Sequence, residues 1–181
     1  HFIGSKGYEL IGTENANEGE IINQYAYNRN DGKQRMVRAR DNASTVVLDW
    51  WDDVNEEWYV LLTGMTTGKQ IGFTEFNSST VSRMIFCNGV QNMSVWSGAV
   101  TRLTAAVSAG AVTINVVSTT DFPSTGTIIY NGTEIAYTGK AATSFTVGSA
   151  HASAGADDGV AEAVDDTTNS ATTKGNILLT A

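Results

Sequence analysis

From Thr127 to Thr138 the sequence reads Thr-Ile-Ile-Tyr-Asn-Gly-Thr-Glu-Ile-Ala-Tyr-Thr, and this stretch leaves a folding chain few choices. Two runs rich in β-branched and aromatic side chains flank Asn131-Gly132. That pair tolerates the positive φ that a type I′ turn requires at both central positions. A two-residue hairpin is predicted at this point. It sets the theme for the chain, in which short strand-like runs are punctuated by turn residues at short intervals.

The first hundred residues repeat the theme. Ile21 to Tyr27 and Lys33 to Arg40 read as strands around the turn signal Asn30-Asp31-Gly32, and Met36, Arg38 and Arg40 alternate with Val37 and Ala39 at the period of a half-buried strand. Thr45 to Trp51 and Trp58 to Leu62 form the next pair, joined by the polar loop from Asp52 to Glu57. The pattern then restarts with Gln70 to Phe76, Met84 to Cys87 and Met93 to Trp96. A four-strand meander followed by a second start has the spacing of β-propeller blades. A propeller needs at least four blades and about two are present, so the expectation is a partial propeller, or failing that an open sheet or sandwich. The opening His1 and the apolar run Ile177-Leu178-Leu179 near the end read as those of a piece of a longer chain.

Texture changes near residue 100. All four Trp (Trp50, Trp51, Trp58, Trp96) lie before it, whereas the remainder is dominated by Ala, Thr, Ser, Gly and Val. Short strands are expected at Leu103 to Ala106, Val112 to Val117, Phe145 to Val147 and Val160 to Val164, forming a small β-sandwich or barrel with a thin core that projects from the first unit. The predicted organisation is antiparallel propeller-like sheets over 1–99, an inserted β-module over 100–165, and a linker with a return strand over 166–181. The fold class is all-β.

Composition narrows the functions. With 17% charged residues and a single Pro among 181 residues, the chain is neither a coiled coil nor a disordered segment. No apolar run approaches the roughly 18 residues of a membrane-spanning helix, so membrane insertion is not expected. The net charge is −8, with 8 basic against 12 acidic residues through position 100 and 3 against 7 beyond it. Neither unit therefore carries the surplus of cations that phosphate binding requires, and nucleic acid is not an expected partner. A lone Cys87 makes no internal disulfide and no zinc site.

Chemistry-bearing constellations are sparse. His1 is terminal, His151 sits among small residues, and no Gly-x-Ser-x-Gly elbow presents a nucleophile; no catalytic residue and no cofactor is expected. Asp49, Asp52, Asp53, Asn55, Glu56 and Glu57 cluster, but not at the spacing of a calcium loop. They read as a solvated hairpin loop rather than a metal site, as do Asp157-Asp158 and Asp165-Asp166. No acid stands in an apolar strand where burial would raise its pKa. Trp50 and Trp51 must point to opposite faces of their strand, and most of the Trp rings read as core. Trp58 and Trp96, with Asp52 and Asp53 of the acidic loop, are the candidate ligand or interface residues. Arg35, Arg38 and Arg40 read as partners for acids on neighbouring strands.

Gly7-Tyr8-Glu9-Leu10-Ile11-Gly12-Thr13-Glu14, Arg29-Asn30-Asp31-Gly32, Phe86-Cys87-Asn88-Gly89-Val90 and Val95-Trp96-Ser97-Gly98 together resemble propeller-like virion proteins of tailed bacteriophages. The second unit resembles a small β-module inserted in phage structural proteins. It does so through Val112-Thr113-Ile114-Asn115-Val116, Asp121-Phe122-Pro123, Gly126-Thr127-Ile128, Glu134-Ile135-Ala136-Tyr137-Thr138-Gly139 and Phe145-Thr146, with His151 and Gly155-Ala156 near its end. It departs from that module at Val147-Gly148-Ser149-Ala150, which lacks an Arg-Gly at the final turn. The resemblance implies a non-enzymatic component of the tail, neck or baseplate region. Such a component would be assembled in the host cytoplasm, held to other virion proteins in a symmetric array, and resident in the virion. A host-receptor or glycan-binding adhesion module is the competing implication.

Overall fold

The computed structural model describes residues 19–148 and 153–165. Every regular element among them is a strand, and all pairing is antiparallel. No helix among the described residues is long and apolar enough to cross a membrane.

Strands β1 (Glu20–Asn28), β2 (Gln34–Asp41), β3 (Val46–Asp52) and β4 (Glu57–Met65) form a four-stranded meander. Strands β5 (Gly72–Asn77), β6 (Ser82–Cys87) and β7 (Ser94–Trp96) form a second, three-stranded one. These are the blade-type sheets that the turn spacing predicts. The period-2 pattern sorts the side chains. Val37, Ala39, Val46, Leu48 and Trp50 enter a common core with Leu61, Met84, Phe86 and Trp96, and the residues between them face the other way. The two meanders are joined by Tyr25 stacked on Phe73 at 5.4 Å, by Asn23 Nδ2 donating to the Ile71 carbonyl at 2.7 Å, and by Asn77 Nδ2 donating to the Asn28 carbonyl at 2.8 Å.

The third sheet comprises β8 (Val100–Arg102), β9 (Thr113–Asn115), β10 (Gly126–Tyr130), β11 (Thr133–Ala141), β12 (Ser144–Val147) and β13 (Gly159–Glu162), in the order β8-β13-β10-β11-β12-β9. Its two edges curl toward each other and meet. Leu103 bridges Val116, and the Val117 N–H donates to the Arg102 carbonyl at 2.9 Å. Curling in this way removes exposed strand edges. The β10–β11 hairpin is the predicted one: Tyr130 pairs with Thr133, and Asn131 and Gly132 have φ of 48° and 69°. A second core fills the curl, with Leu103, Ile114, Ile128, Tyr130, Tyr137 and Phe145 at its centre.

Two strands differ from expectation. The segment expected at Leu103 to Ala106 forms its strand earlier, at Val100–Arg102; Leu103 makes only an isolated bridge, and Thr104 to Ala106 are exposed. Pairing with β13 decides this, since Thr101 lies opposite Val160 and no local pattern encodes that partner. The strand expected at Val112 to Val117 narrows to Thr113–Asn115 with Val116 in the bridge. Nor does the curled sheet project as a separate bead. Alternate residues of β10 and β13 face opposite ways: Ile128, Tyr130 and Val160 fill the curl, while Ile129 and Ala161 enter the core of the meanders. Trp96 Nε1 donates to the Glu162 carbonyl at 2.9 Å, Val95 bridges Asp165, and Asn55 Nδ2 donates to the Asp157 carbonyl at 2.7 Å. The expected linker at Thr167 to Thr173, the return strand at Gly175 to Leu179, His1, His151 and the Gly7 to Glu14 motif lie outside the described residues.

Candidate functional site

The four-stranded meander and the curled sheet meet along a seam, and a cleft of about 230 Å3 opens there. Strand register explains its lining. Val37 pairs with Trp50 on the core-facing side of β2 and β3. Two residues further along each strand, on that same side, come Arg35 and Asp52, beyond the reach of the apolar core. Across the seam lie Arg102 at the end of β8 and the Ser118 to Asp121 loop that follows β9. Lys33, at the tip of the β1–β2 hairpin, completes the charged lining.

The charges are unevenly matched. Asp121 is well served: Lys33 Nζ lies 2.6 Å from its Oδ2 and Arg29 Nη1 3.5 Å. Asp31 sits between the same two cations, at 3.2 Å from Arg29 and 3.6 Å from Lys33. Its slight burial raises the carboxyl's pKa, but the Lys33 N–H and the charges of Arg29 and Lys33 outweigh this and hold it below the ordinary value. The carbonyl of Gly98 accepts from both Arg29 Nη1 and Arg35 Nε at 3.0 Å. Gly98 has φ of +79°, and a Cβ there would lie 2.7 Å from the Tyr27 ring, so only glycine presents its carbonyl in this way.

Arg35 and Asp52 are less well served. Arg35 directs Nε and Nη1 to backbone carbonyls and has no carboxylate within ion-pair distance among the described residues. Its burial, followed by the neighbouring Arg29 charge, lowers its pKa against the pull of Asp121, Asp31 and Asp53. Asp52 is 7% exposed. Its Oδ1 accepts the Val54 N–H at 3.2 Å, while the buried Oδ2 has no hydrogen-bond partner and lies 3.7 Å from Arg102 Nε. That is ion-pair range but too long for a hydrogen bond. Arg102 makes no other ion pair among the described residues. The Ser118 N–H donates to Thr101 Oγ1 at 3.1 Å, and the Ser118 and Thr120 hydroxyls lie 2.9 Å apart. The cleft thus presents donors and an acceptor with capacity to spare.

The structure separates the four residues singled out from the sequence. Asp52 lines the cleft, and Asp53 is exposed on the turn beyond it. Trp58 is on the opposite face of the meander, half-buried, with the Arg38 guanidinium 4.5 Å from its ring centroid and Trp51 at 5.2 Å. Trp96 is a core residue, 1% exposed, so its ring offers no ligand-facing side. One acid that the sequence reading placed in the polar loop cluster, Asp49, stands instead within an apolar strand. It is 1% exposed within Val46-Val47-Leu48-Asp49-Trp50-Trp51, and Arg38 Nε at 2.9 Å and Arg40 Nε at 2.6 Å compensate its charge. The expectation that these arginines pair with acids on neighbouring strands therefore holds for Arg38 and Arg40. Among the described residues no three His, Cys, Asp or Glu side chains converge as a metal site. Sequence reading missed Arg102, Lys33 and Asp121 as members of one site, because the seam that gathers them joins segments 88 residues apart in the chain.

Fold and cleft together define an all-β protein with a small cleft of mixed charge at a sheet junction. No protein-family model, no curated protein and no solved structure matches the chain.

Proposed function

We propose that this chain is a non-enzymatic structural component of a tailed-phage particle, in its tail, neck or baseplate region, acting through protein–protein contacts. The supporting observation is what the residues behind the phage resemblance do. Arg29 and Asp31 form the charged hairpin tip at the seam. Asn88 Oδ1 takes the N–H groups of Val90 and Gln91 to close a turn. Trp96 and Gly98 tie the second meander to the curled sheet and to the hairpin tip. All of these are building roles. Phe76, Val81 and Val90 expose apolar surface on the second meander and the turns beside it, which suits contact with other virion proteins or further copies of the chain. The acidic net charge of −8 keeps free subunits apart before assembly. Mass spectrometry of particles purified from cells carrying the gene tests the reading. The chain is expected in a fixed ratio to the other particle proteins, and particles that lack it would refute the assignment.

A second reading, a glycan-binding adhesion module on the particle surface, is favoured by one specific observation: the cleft at Asp52, with its unmatched donors and acceptor.

A further inference from the structure

We propose that the seam cleft binds a single acidic sugar unit, with its carboxylate held by Arg35 and Arg102 and its hydroxyls by Asp52 and the Ser118–Thr120 pair. The inference rests on the adhesion reading and names its ligand class. Three arguments carry it.

Size comes first. A volume of about 230 Å3 falls below the roughly 300–1,000 Å3 of sites for drug-sized ligands, so one saccharide ring or a smaller group fits.

Charge is second. In a chain of net charge −8, this cleft gathers three cations, Lys33, Arg35 and Arg102, against two carboxylates, Asp52 and Asp121. Lys33 and Asp121 satisfy each other at 2.6 Å. What remains of the lining is two guanidinium groups and one carboxylate. Arg29 and Asp31 beside it pair with each other and Asp53 is exposed on the turn beyond, so within the cleft there is room for one negative charge rather than two. Guanidinium forks match carboxylates in geometry.

The third argument is the unfilled hydrogen-bonding capacity. Asp52 is nine-tenths buried, and its Oδ2 accepts no hydrogen bond. A buried carboxylate oxygen in that state costs free energy until a donor reaches it. Arg102, whose Nε lies 3.7 Å from that oxygen, is a quarter exposed and lines the cleft. A sugar hydroxyl supplies both a donor for Asp52 and an acceptor for Ser118 or Thr120, which a bare anion does not.

The test is an NMR titration of the full chain, following the amides of Thr101, Arg102 and Ser118, with glucuronate, glucose, acetate and inorganic phosphate, each taken to about 20 mM. Glucuronate is expected to saturate with a dissociation constant on the order of 1 mM, appropriate to a ligand of this size, while the other three leave these amides in place. Two variants locate the site. Arg102→Lys keeps a charge beside Asp52 but loses the fork. Val117→Asp adds a negative charge at a cleft-lining position that is 51% exposed, leaving the melting temperature unchanged. Each is expected to weaken glucuronate binding about tenfold or more, and parental affinity in both would overturn the site. An equal response to acetate or phosphate would reduce the cleft to a simple anion site and overturn the saccharide. An equal response to glucose would overturn the acidic specificity while leaving the adhesion reading standing. Silence toward every probe would overturn the proposal, and a glycan array that retains no chain would remove the adhesion reading as well.

Discussion

Asp49 ties β3 to β2 within the four-stranded meander. Its carboxylate is enclosed on β3 and takes hydrogen bonds from Arg38 and Arg40 on β2. Asp49→Ala withdraws a carboxylate that holds two guanidinium groups, Arg38 at 6% exposure and Arg40 half-buried. The expected loss is about 3–5 kcal/mol, because breaking one side of a buried ion pair leaves the other desolvated. Urea unfolding would measure it, and a loss under about 1 kcal/mol would show that solvent reaches the arginines. Legibility at this scale was partial. The β2 alternation announced Arg38 and Arg40 on one face of the strand, but nothing in the apolar run of β3 says that Asp49 meets them there; the strand register of Arg38 opposite Asp49 supplies that. Tyr137 gives a second residue-level prediction. Burial, then the charge of Glu162, push its phenol up to about 12 from the ordinary 10.0. The unfolded chain releases this proton near pH 10 while the folded chain keeps it, so the stabilisation is complete below pH 10 and is lost as pH rises from 10 toward 12. Thermal melts across that window should fall in temperature. Tyr25, Tyr27, Tyr59 and Tyr130 are shifted in the same direction, so Tyr137→Phe should flatten the decline without abolishing it. At neutral pH the same substitution should cost about 1 kcal/mol, because the Pro123 carbonyl loses the hydroxyl donor 3.0 Å away.

At the scale of elements, the hairpins were legible and the long-range pairings were not. Asn131-Gly132 specifies its turn by sterics confined to two residues, and both adopt the positive φ that a type I′ turn demands. Gly132→Val should therefore cost about 1–2 kcal/mol or more, as a β-branched side chain is forced into the left-handed region. Chemical denaturation would register this loss, whereas an unaltered midpoint would imply that the hairpin changes turn type at no expense. By contrast, β8 fell three residues earlier than its sequence suggested, since its partner β13 is more than fifty residues away and short apolar runs carry no address. The cleft follows the same logic. Asp52 was visible as one acid in a loop, but its role depends on Arg102 and Asp121, and those arrive only once β8 and the loop after β9 have been placed by the curl.

For the molecule as a whole, the question is whether the curled sheet and the meanders unfold as one. The interleaving of cores argues that they do. Consecutive residues of β10 divide between the two hydrophobic clusters, Ile128 to one and Ile129 to the other, and β13 does the same with Val160 and Ala161. Neither cluster can lose these strands without exposing the apolar face of the other. A direct test uses the uneven placement of Trp, all four of which precede residue 100 and stand on strands of the four- and three-stranded meanders. Phe145 is fully buried inside the curl, packed edge-on against Phe122 at 5.0 Å and tilted against Tyr137 at 4.7 Å, and it belongs to the other cluster. Phe145→Ala should cost about 3–5 kcal/mol. If folding is a single cooperative event, that loss must appear in full in the Trp fluorescence transition as well as in the far-ultraviolet signal, with coincident midpoints. A Trp transition that stays in place while the far-ultraviolet signal moves would mean that β10 and β13 part from the meander core at little cost, and that the seam is a hinge. Coincident midpoints would show the seam to be rigid, as is required of a cleft that holds Arg35, Asp52 and Arg102 in fixed relation, because two of those residues come from one sheet and the third from the other.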